Sequence, residues 1–159
     1  MSNCEHDQSG VTLPSFPHRT REHAQALCRK LEEQGHRIVT AESCTSGLLA
    51  ASIAFCGGQL LVGSFVTYRP SLKIAALKVQ PDLIAEKTVY DAEVARQMAA
   101  GALQGAPEAD LALATTGVAG PGPDQGKPAG LVFVAAALRD HEPSVRACQF
   151  AGTPEDVIA

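Results

Sequence analysis

Ile38-Val39-Thr40-Ala41-Glu42-Ser43-Cys44-Thr45-Ser46-Gly47-Leu48-Leu49 is the stretch on which the reading of this chain turns. An apolar, β-branched run stops at a serine, and an apolar helical pattern begins at once. The first half fits a buried strand and the second a helix. The junction puts the Ser43 hydroxyl on a sharp corner beside the free amides of a helix N-terminus. Such a serine is either a helix cap or a nucleophile whose oxyanion the amides receive. The corner alone favours the cap, the commoner device. Glu42, just before it, either orients polar groups there or ends the strand in solvent.

Working outward, residues 1–18 are polar and broken by Gly10, Pro14 and Pro17, and read as a loosely attached tail. Residues 19–159 read as a single domain. Thr20 is placed to cap a helix running to Gln34, with Gly35 just past its end. Ala24, Leu27, Cys28 and Leu31 share one face of it. Residues 37–42 form the first strand, and 46–55 an apolar helix that Gly57-Gly58 ends. Residues 60–68 read as a second strand ending at Tyr68. Pro70 opens a short helix through Leu77, and another follows Pro81. Asp91 caps a helix to about Gln104, with Val94, Met98, Ala102 and Leu103 inward. Residues 110–116 form a third strand, followed by a Gly/Pro loop over 117–128. Residues 131–138 carry almost no polar side chain and are expected to be a central strand buried on both faces. Residues 145–150 form a last, more exposed strand. Strands alternating with helices imply a sheet covered on both faces.

The bulk properties narrow the function. With 159 residues, 45% of them hydrophobic and 19% charged, the chain can bury a real core. A net charge of −4 with no basic stripe argues against nucleic acid as a direct ligand. The cysteines, Cys4, Cys28, Cys44, Cys56 and Cys148, are odd in number and show no C-x-x-C spacing. That argues against a disulfide framework or a zinc site, and for a reducing, cytoplasmic setting. No signal-peptide core and no apolar run of membrane-spanning length is present, so no membrane partner is expected. The histidines are scattered, which gives a catalytic metal little support.

Two further constellations carry chemistry. In Val66-Thr67-Tyr68-Arg69-Pro70-Ser71-Leu72-Lys73, a lysine lies early in a short helix among Leu72, Ile74 and Ala75. Lost hydration there lowers an ammonium pKa. A neutral lysine can act as general base on a serine hydroxyl, with Tyr68 relaying the proton or orienting the amine. The alternative is a solvated surface lysine, the commoner arrangement. In Thr115-Thr116-Gly117-Val118-Ala119-Gly120-Pro121-Gly122-Pro123, exposed amides after a strand suit an anion such as phosphate, or the loop is a plain connector. It matches neither a dinucleotide fingerprint nor a Walker loop. Cys44 reads as a structural or backbone-donor residue rather than a nucleophile.

Thr40-Ala41-Glu42-Ser43-Cys44-Thr45-Ser46-Gly47, Val66-Thr67-Tyr68 with Lys73, Thr116-Gly117-Val118-Ala119-Gly120-Pro121-Gly122 and Lys127-Pro128-Ala129-Gly130-Leu131-Val132 together resemble the CinA C-terminal domain family. The match runs over about residues 22 to 150, in the family's order. The resemblance implies a three-layer α/β/α sandwich around a mixed, mostly parallel sheet. It implies a nicotinamide mononucleotide amidohydrolase of pyridine nucleotide salvage, without cofactor or metal, acting as a homo-oligomer on a small nucleotide. Ser43, Lys73 and Tyr68 would serve the chemistry. Cys44, Thr45, Ser46 and Gly47, with Thr116, Gly117, Ala119 and Gly120, would line the substrate site, and amides at the start of the Ser46 helix would hold the oxyanion. The chain departs from the family pattern at Ser46, usually Gly, and at Arg69-Pro70. Gly152-Thr153-Pro154-Glu155 stands where a Gly-Asp-Arg segment is common, and the family's final helix is expected to be missing. Two alternatives stay open: a catalytically silent nucleotide-binding or interaction module of the same fold, and a Ser/Lys amidase for another small amide.

Overall fold

The computed structural model describes residues 18–159, so the expected N-terminal tail lies almost wholly outside the described residues. Five strands form one mixed sheet in the order β2-β1-β3-β4-β5. They are β1 (Ile38–Glu42), β2 (Leu61–Val66), β3 (Leu111–Gly117), β4 (Leu131–Leu138) and β5 (Ser144–Gln149). β1 pairs in parallel with β2 and β3, and β4 pairs antiparallel with β3 and β5. Four of the five strands therefore point one way, and β4 alone runs against them.

The period-2 alternation of β1 and β3 sorts side chains to two cores. Ile38, with Leu111 and Leu113 of β3, packs under α1 (His18–Gln34) and α2 (Leu48–Gly57). Val39, Ala41, Ala112 and Ala114 pack on the other face, with Ala135 and Ala137 of β4, against α5 (Ala92–Gly105). The alanines keep that face flat, so α5 lies close with Val94, Ala95, Met98, Ala99 and Ala102 at no exposure. α3 (Pro70–Leu77) packs on α5, and α4 (Pro81–Lys87) follows it. The layers are those of an α/β/α sandwich. Asp91 accepts a hydrogen bond from the Glu93 amide, as an N-cap should.

The alternation of strands and helices stops at β3. β3, β4 and β5 follow one another through loops, because the Gly/Pro segment forms no helix. β4 therefore sits second from an edge, and its outer residues are half-buried rather than covered on both faces; β1 is the fully buried strand. β2 ends at Val66, leaving Thr67 and Tyr68 beyond the sheet. α1 already includes His18, so Thr20 lies inside the helix; its hydroxyl donates to the Ala159 carbonyl at 2.7 Å. A short helix absent from the sequence reading, α6 (Pro154–Ile158), follows β5. Thr153 and Asp156 close a reciprocal capping box at its start, and Val157 is buried. Among the described residues no helix is long and apolar enough to cross a membrane.

Candidate active site

Three neighbouring parallel strands deliver their carboxyl ends to one edge of the sheet, where open α/β sheets bind ligands. Glu42 is in register with Val66 on one side and Thr115 on the other. The next residue of β1 is Ser43, that of β2 is Thr67, and β3 runs on into the Gly117 loop. The Ser43 amide donates to the Thr115 carbonyl at 3.0 Å, and the Thr67 amide to the Glu42 carbonyl at 2.8 Å.

The Ser43 corner differs from its sequence reading in one decisive way. α2 starts at Leu48, not Ser46, because Ser46 and Gly47 take left-handed backbones with φ of 52° and 98°. Glycine suits such a φ and serine tolerates it at a cost of about 1 kcal/mol. Ser46 is exposed, so its side chain does not narrow the cavity. Strand alternation turns Glu42 to the α2 face, where it has no exposure. Its carboxylate accepts from the amides of Gly47 (2.9 Å), Leu49 (3.1 Å) and Ala50 (2.8 Å). The hydroxyls of Thr45 (2.7 Å) and Thr40 (3.1 Å) donate to it as well. The helix N-terminus is thus capped by Glu42 rather than by Ser43, and its amides are not available to an oxyanion. The Cys44 and Thr45 amides, in the turn between, are not taken up by Glu42; they lie beside the Cys44 sulfur.

Lys73 is the largest fully buried side chain of the domain. Its immediate neighbours do not bury it: Leu72 is 45% exposed. Its position does, because Lys73 and Leu77, four residues apart, share the inner face of α3. Arg69-Pro70 supplies the N-cap and first turn of this helix and leaves the lysine in reach of the corner. Lys73 Nζ stands 2.9 Å from Ser43 Oγ, within hydrogen-bond distance of the Thr67 carbonyl, and 3.5 Å from that of Tyr68. Among the described residues no carboxylate pairs with it, and burial pulls its pKa down to about 8. The solvated-lysine alternative is therefore excluded. Burial also pushes the Cys44 thiol up to about 11, against its nearby backbone amides and Lys73, so Cys44 is no thiolate near neutral pH.

In front of Ser43 lies a cavity of about 400 Å³. Of the residues singled out in the sequence, Ser43, Cys44, Tyr68, Gly117, Ala119 and Gly120 line it. Lys73 stands behind Ser43. Tyr68 is 64% exposed, and its contact with Lys73 runs through its backbone carbonyl, which does not support a proton relay through the phenol. Thr45 bonds Glu42 and the Thr115 hydroxyl (2.8 Å), behind the corner. Thr116 is fully buried, and its hydroxyl donates to the Val89 carbonyl at 2.8 Å, fixing the segment before α5. The sequence reading missed Tyr90 and Asp124, which also line the cavity. The one signal for them was the rarity of tyrosine, two in the chain.

Comparisons with known proteins agree with the fold. A family profile for the CinA C-terminal domain matches residues 20–159. A CinA-like protein of Geobacter sp. (strain M21) is 46% identical over 115 residues, 70% of this chain and 27% of that protein. A CinA-like protein of Mycobacterium tuberculosis (strain ATCC 25177 / H37Ra) is 42% identical over 126 residues, 77% of this chain and 29% of that protein. The chain thus spans under a third of the length of these relatives. Among solved structures, the competence/damage inducible protein CihA of Agrobacterium tumefaciens superposes with a TM-score of 0.85 at 29% identity, covering 92% of this chain and 90% of that one. A CinA superfamily protein of Klebsiella pneumoniae gives 0.83 at 32% identity, covering 87% and 88%. With the profile matching residues 20–159, the chain belongs to the CinA C-terminal domain family.

Proposed function

We propose that this domain is a Ser/Lys amidohydrolase that converts nicotinamide mononucleotide to nicotinic acid mononucleotide and ammonia. The observation that carries the reading is the fully buried Lys73 amine, 2.9 Å from the Ser43 hydroxyl. A neutral amine has two N–H groups and one lone pair. Here the N–H groups have the Thr67 and Tyr68 carbonyls as acceptors, and the lone pair has the Ser43 O–H as donor. With a pKa of about 8, the neutral fraction near pH 7 is about 300 times that of an ordinary lysine.

Lys73 takes the Ser43 proton as Oγ attacks the carboxamide carbon. In this reading the Cys44 and Thr45 amides, which Glu42 leaves free, turn from the Cys44 sulfur to the resulting oxyanion. Lys73 returns the proton to the departing nitrogen, the C–N bond breaks, and ammonia leaves. Lys73 then deprotonates a water that cleaves the acyl-enzyme, releasing the acid and Ser43. Water is the only co-reactant, and no electrons are gained or lost. Tyr68 acts from the cavity rim, on the substrate side.

Wild-type protein is expected to release ammonia from nicotinamide mononucleotide, and Ser43→Ala to release none while keeping its circular dichroism spectrum. Lys73→Ala should lose about 10²–10⁴-fold, the usual share of general-base catalysis. No ammonia from wild-type protein, or wild-type rates from Ser43→Ala, would contradict the reading. One observation favours a second substrate class within the same chemistry. No Lys or Arg side chain is among the described residues that line the cavity, which leaves a phosphate to the backbone amides of the Gly117–Gly122 loop. A panel of small carboxamides with and without a phosphate separates the two.

A further inference from the structure

Gly117 to Asp124 form one wall of the cavity in front of Ser43. At the base of this loop the Val118 amide donates to the Leu131 carbonyl at 2.9 Å, and the Gly130 amide to the Val118 carbonyl at 2.7 Å. At its tip the backbones of Asp124 and Lys127 bond each other at 3.0 and 2.8 Å. Between the two, Ala119 to Pro123 take part in no backbone–backbone hydrogen bond among the described residues. Gly120 and Gly122 lie there with φ of 110° and 81°, which glycine adopts at little cost and leaves as easily. The Tyr90 hydroxyl donates to Asp124 Oδ2 at 2.5 Å, the one hydrogen bond among the described residues that joins 119–127 to another part of the fold. Tyr90 is itself fixed. Its amide donates to the Thr88 hydroxyl at 3.1 Å, and the Thr116 hydroxyl holds the preceding Val89 carbonyl. Burial, with Asp124 beside it, pushes the Tyr90 phenol up to about 12, so it keeps its proton and stays a donor.

We propose that Tyr90 and Asp124 are positioning residues whose hydrogen bond latches the Gly117–Asp124 loop in its substrate-receiving shape, so that the pair sets affinity and leaves the chemistry at Ser43 alone. A glycine-rich segment without backbone bonds of its own would otherwise be ordered at the expense of binding. The latch orders it beforehand. When it is released, the receiving shape is only a fraction of the population, and apparent affinity falls by that fraction. Neither residue hydrogen-bonds Ser43 or Lys73, which stand on other elements, so the bound substrate meets the same nucleophile and base. The kinetic form of the proposal rests on the amidohydrolase reading; the ordering of the loop does not.

The test has a kinetic arm and a structural one. In ammonia release from nicotinamide mononucleotide, Tyr90→Phe and Asp124→Ala should each raise KM about tenfold, the share of one hydrogen bond to a charged group at a rim that water reaches, and change kcat by less than about twofold. The double variant should be no worse than either single one, because both break the same bond. Asp124→Asn, which keeps an acceptor oxygen, should recover most of what Asp124→Ala loses. Tyr90→Phe keeps the ring and Asp124 is exposed, so these variants retain the fold. In the structural arm, ¹⁵N relaxation of the ligand-free protein should give Gly120 and Gly122 order parameters of about 0.85 in the wild type, falling toward about 0.6 in Tyr90→Phe. A fall in kcat at constant KM, losses that multiply in the double variant, or order parameters that Tyr90→Phe leaves unchanged would overturn the latch. No ammonia from wild-type protein would contradict the amidase reading alone, and the order parameters would then decide the latch by themselves.

Discussion

Replacing Glu42 by glutamine should destabilise the domain far more than any exposed glutamate does, and the structure sets the size of the effect. The buried carboxylate splits its donors between two oxygens. Oε1 receives the Ala50 amide and the Thr40 and, at 3.4 Å, Ser64 hydroxyls, and Oε2 the Gly47 and Leu49 amides and the Thr45 hydroxyl. A glutamine must place its NH₂ at one of the two positions. The hydroxyls can rotate and accept, but a backbone N–H cannot. The better orientation, NH₂ in place of Oε1, therefore orphans the Ala50 amide, and the worse one orphans two. One buried orphan costs about 1–3 kcal/mol, and losing the negative charge at the α2 N-terminus adds about 1 kcal/mol. Glu42→Gln should thus cost about 2–4 kcal/mol in urea denaturation at pH 7. Glu108→Gln, which loses only an exposed pair with Arg37, should cost under about 1 kcal/mol. Turnover should fall as well, because the turn bearing Ser43 hangs from this carboxylate. Equal costs for the two variants would refute the assignment of Glu42 as the cap of α2.

Three further outcomes follow from the same geometry. With Lys73 as base, kcat/KM for ammonia release should rise about tenfold per pH unit below a pKa of about 8 and level off above it; a flat profile from pH 6 to 9 would count against it. Because the folded pKa of Lys73 lies below the unfolded value of 10.5, the unfolded state binds the extra proton between those values, so burial of the ion costs most below pH 8 and the penalty fades as pH rises toward 10.5. Relative to Lys73→Met, wild-type protein should accordingly gain about 2 kcal/mol of stability between pH 7 and 9.5, and parallel curves would deny the shift. A Cβ at Gly117 would meet the Leu131 carbonyl at 2.4 Å and Val132 Cα at 2.6 Å, so Gly117→Ala must part β3 from β4 and should cost about 1–3 kcal/mol, read as a lower melting temperature.

The sequence made the strand-to-helix corner legible because its period changes there, from a β-branched run to an apolar helix. The long loop was legible from its Gly and Pro content, and the helix after Asp91 from cap and spacing together. Lys73 was legible as a candidate but not its cause of burial, since Leu72 beside it is exposed and Ile74 only half-buried, and it is the inner face shared with Leu77 that is buried. Glu42 was legible only as two alternatives. Which one holds depends on strand alternation combined with the side of the sheet that α2 covers, and the second is a tertiary fact. The start of α2 was read two residues early because two left-handed residues intervene, and nothing in a serine marks that conformation. Tyr90 and Asp124 lie 34 positions apart in the chain. Only the return of the Gly/Pro loop over the segment before α5 brings them together.

The central claim is that burial lowers the Lys73 pKa enough to supply uncharged amine to the Ser43 hydroxyl near neutral pH, and titration of Lys73 itself tests it most directly. Protein carrying ¹³C at the lysine ε-carbons, with Lys73→Met to identify the signal, is followed by NMR from pH 6 to 11. The account predicts that the Lys73 resonance titrates with a midpoint of about 8. A midpoint near the ordinary lysine value of 10.5 would leave almost no neutral amine at pH 7, and would contradict a serine activated by this lysine.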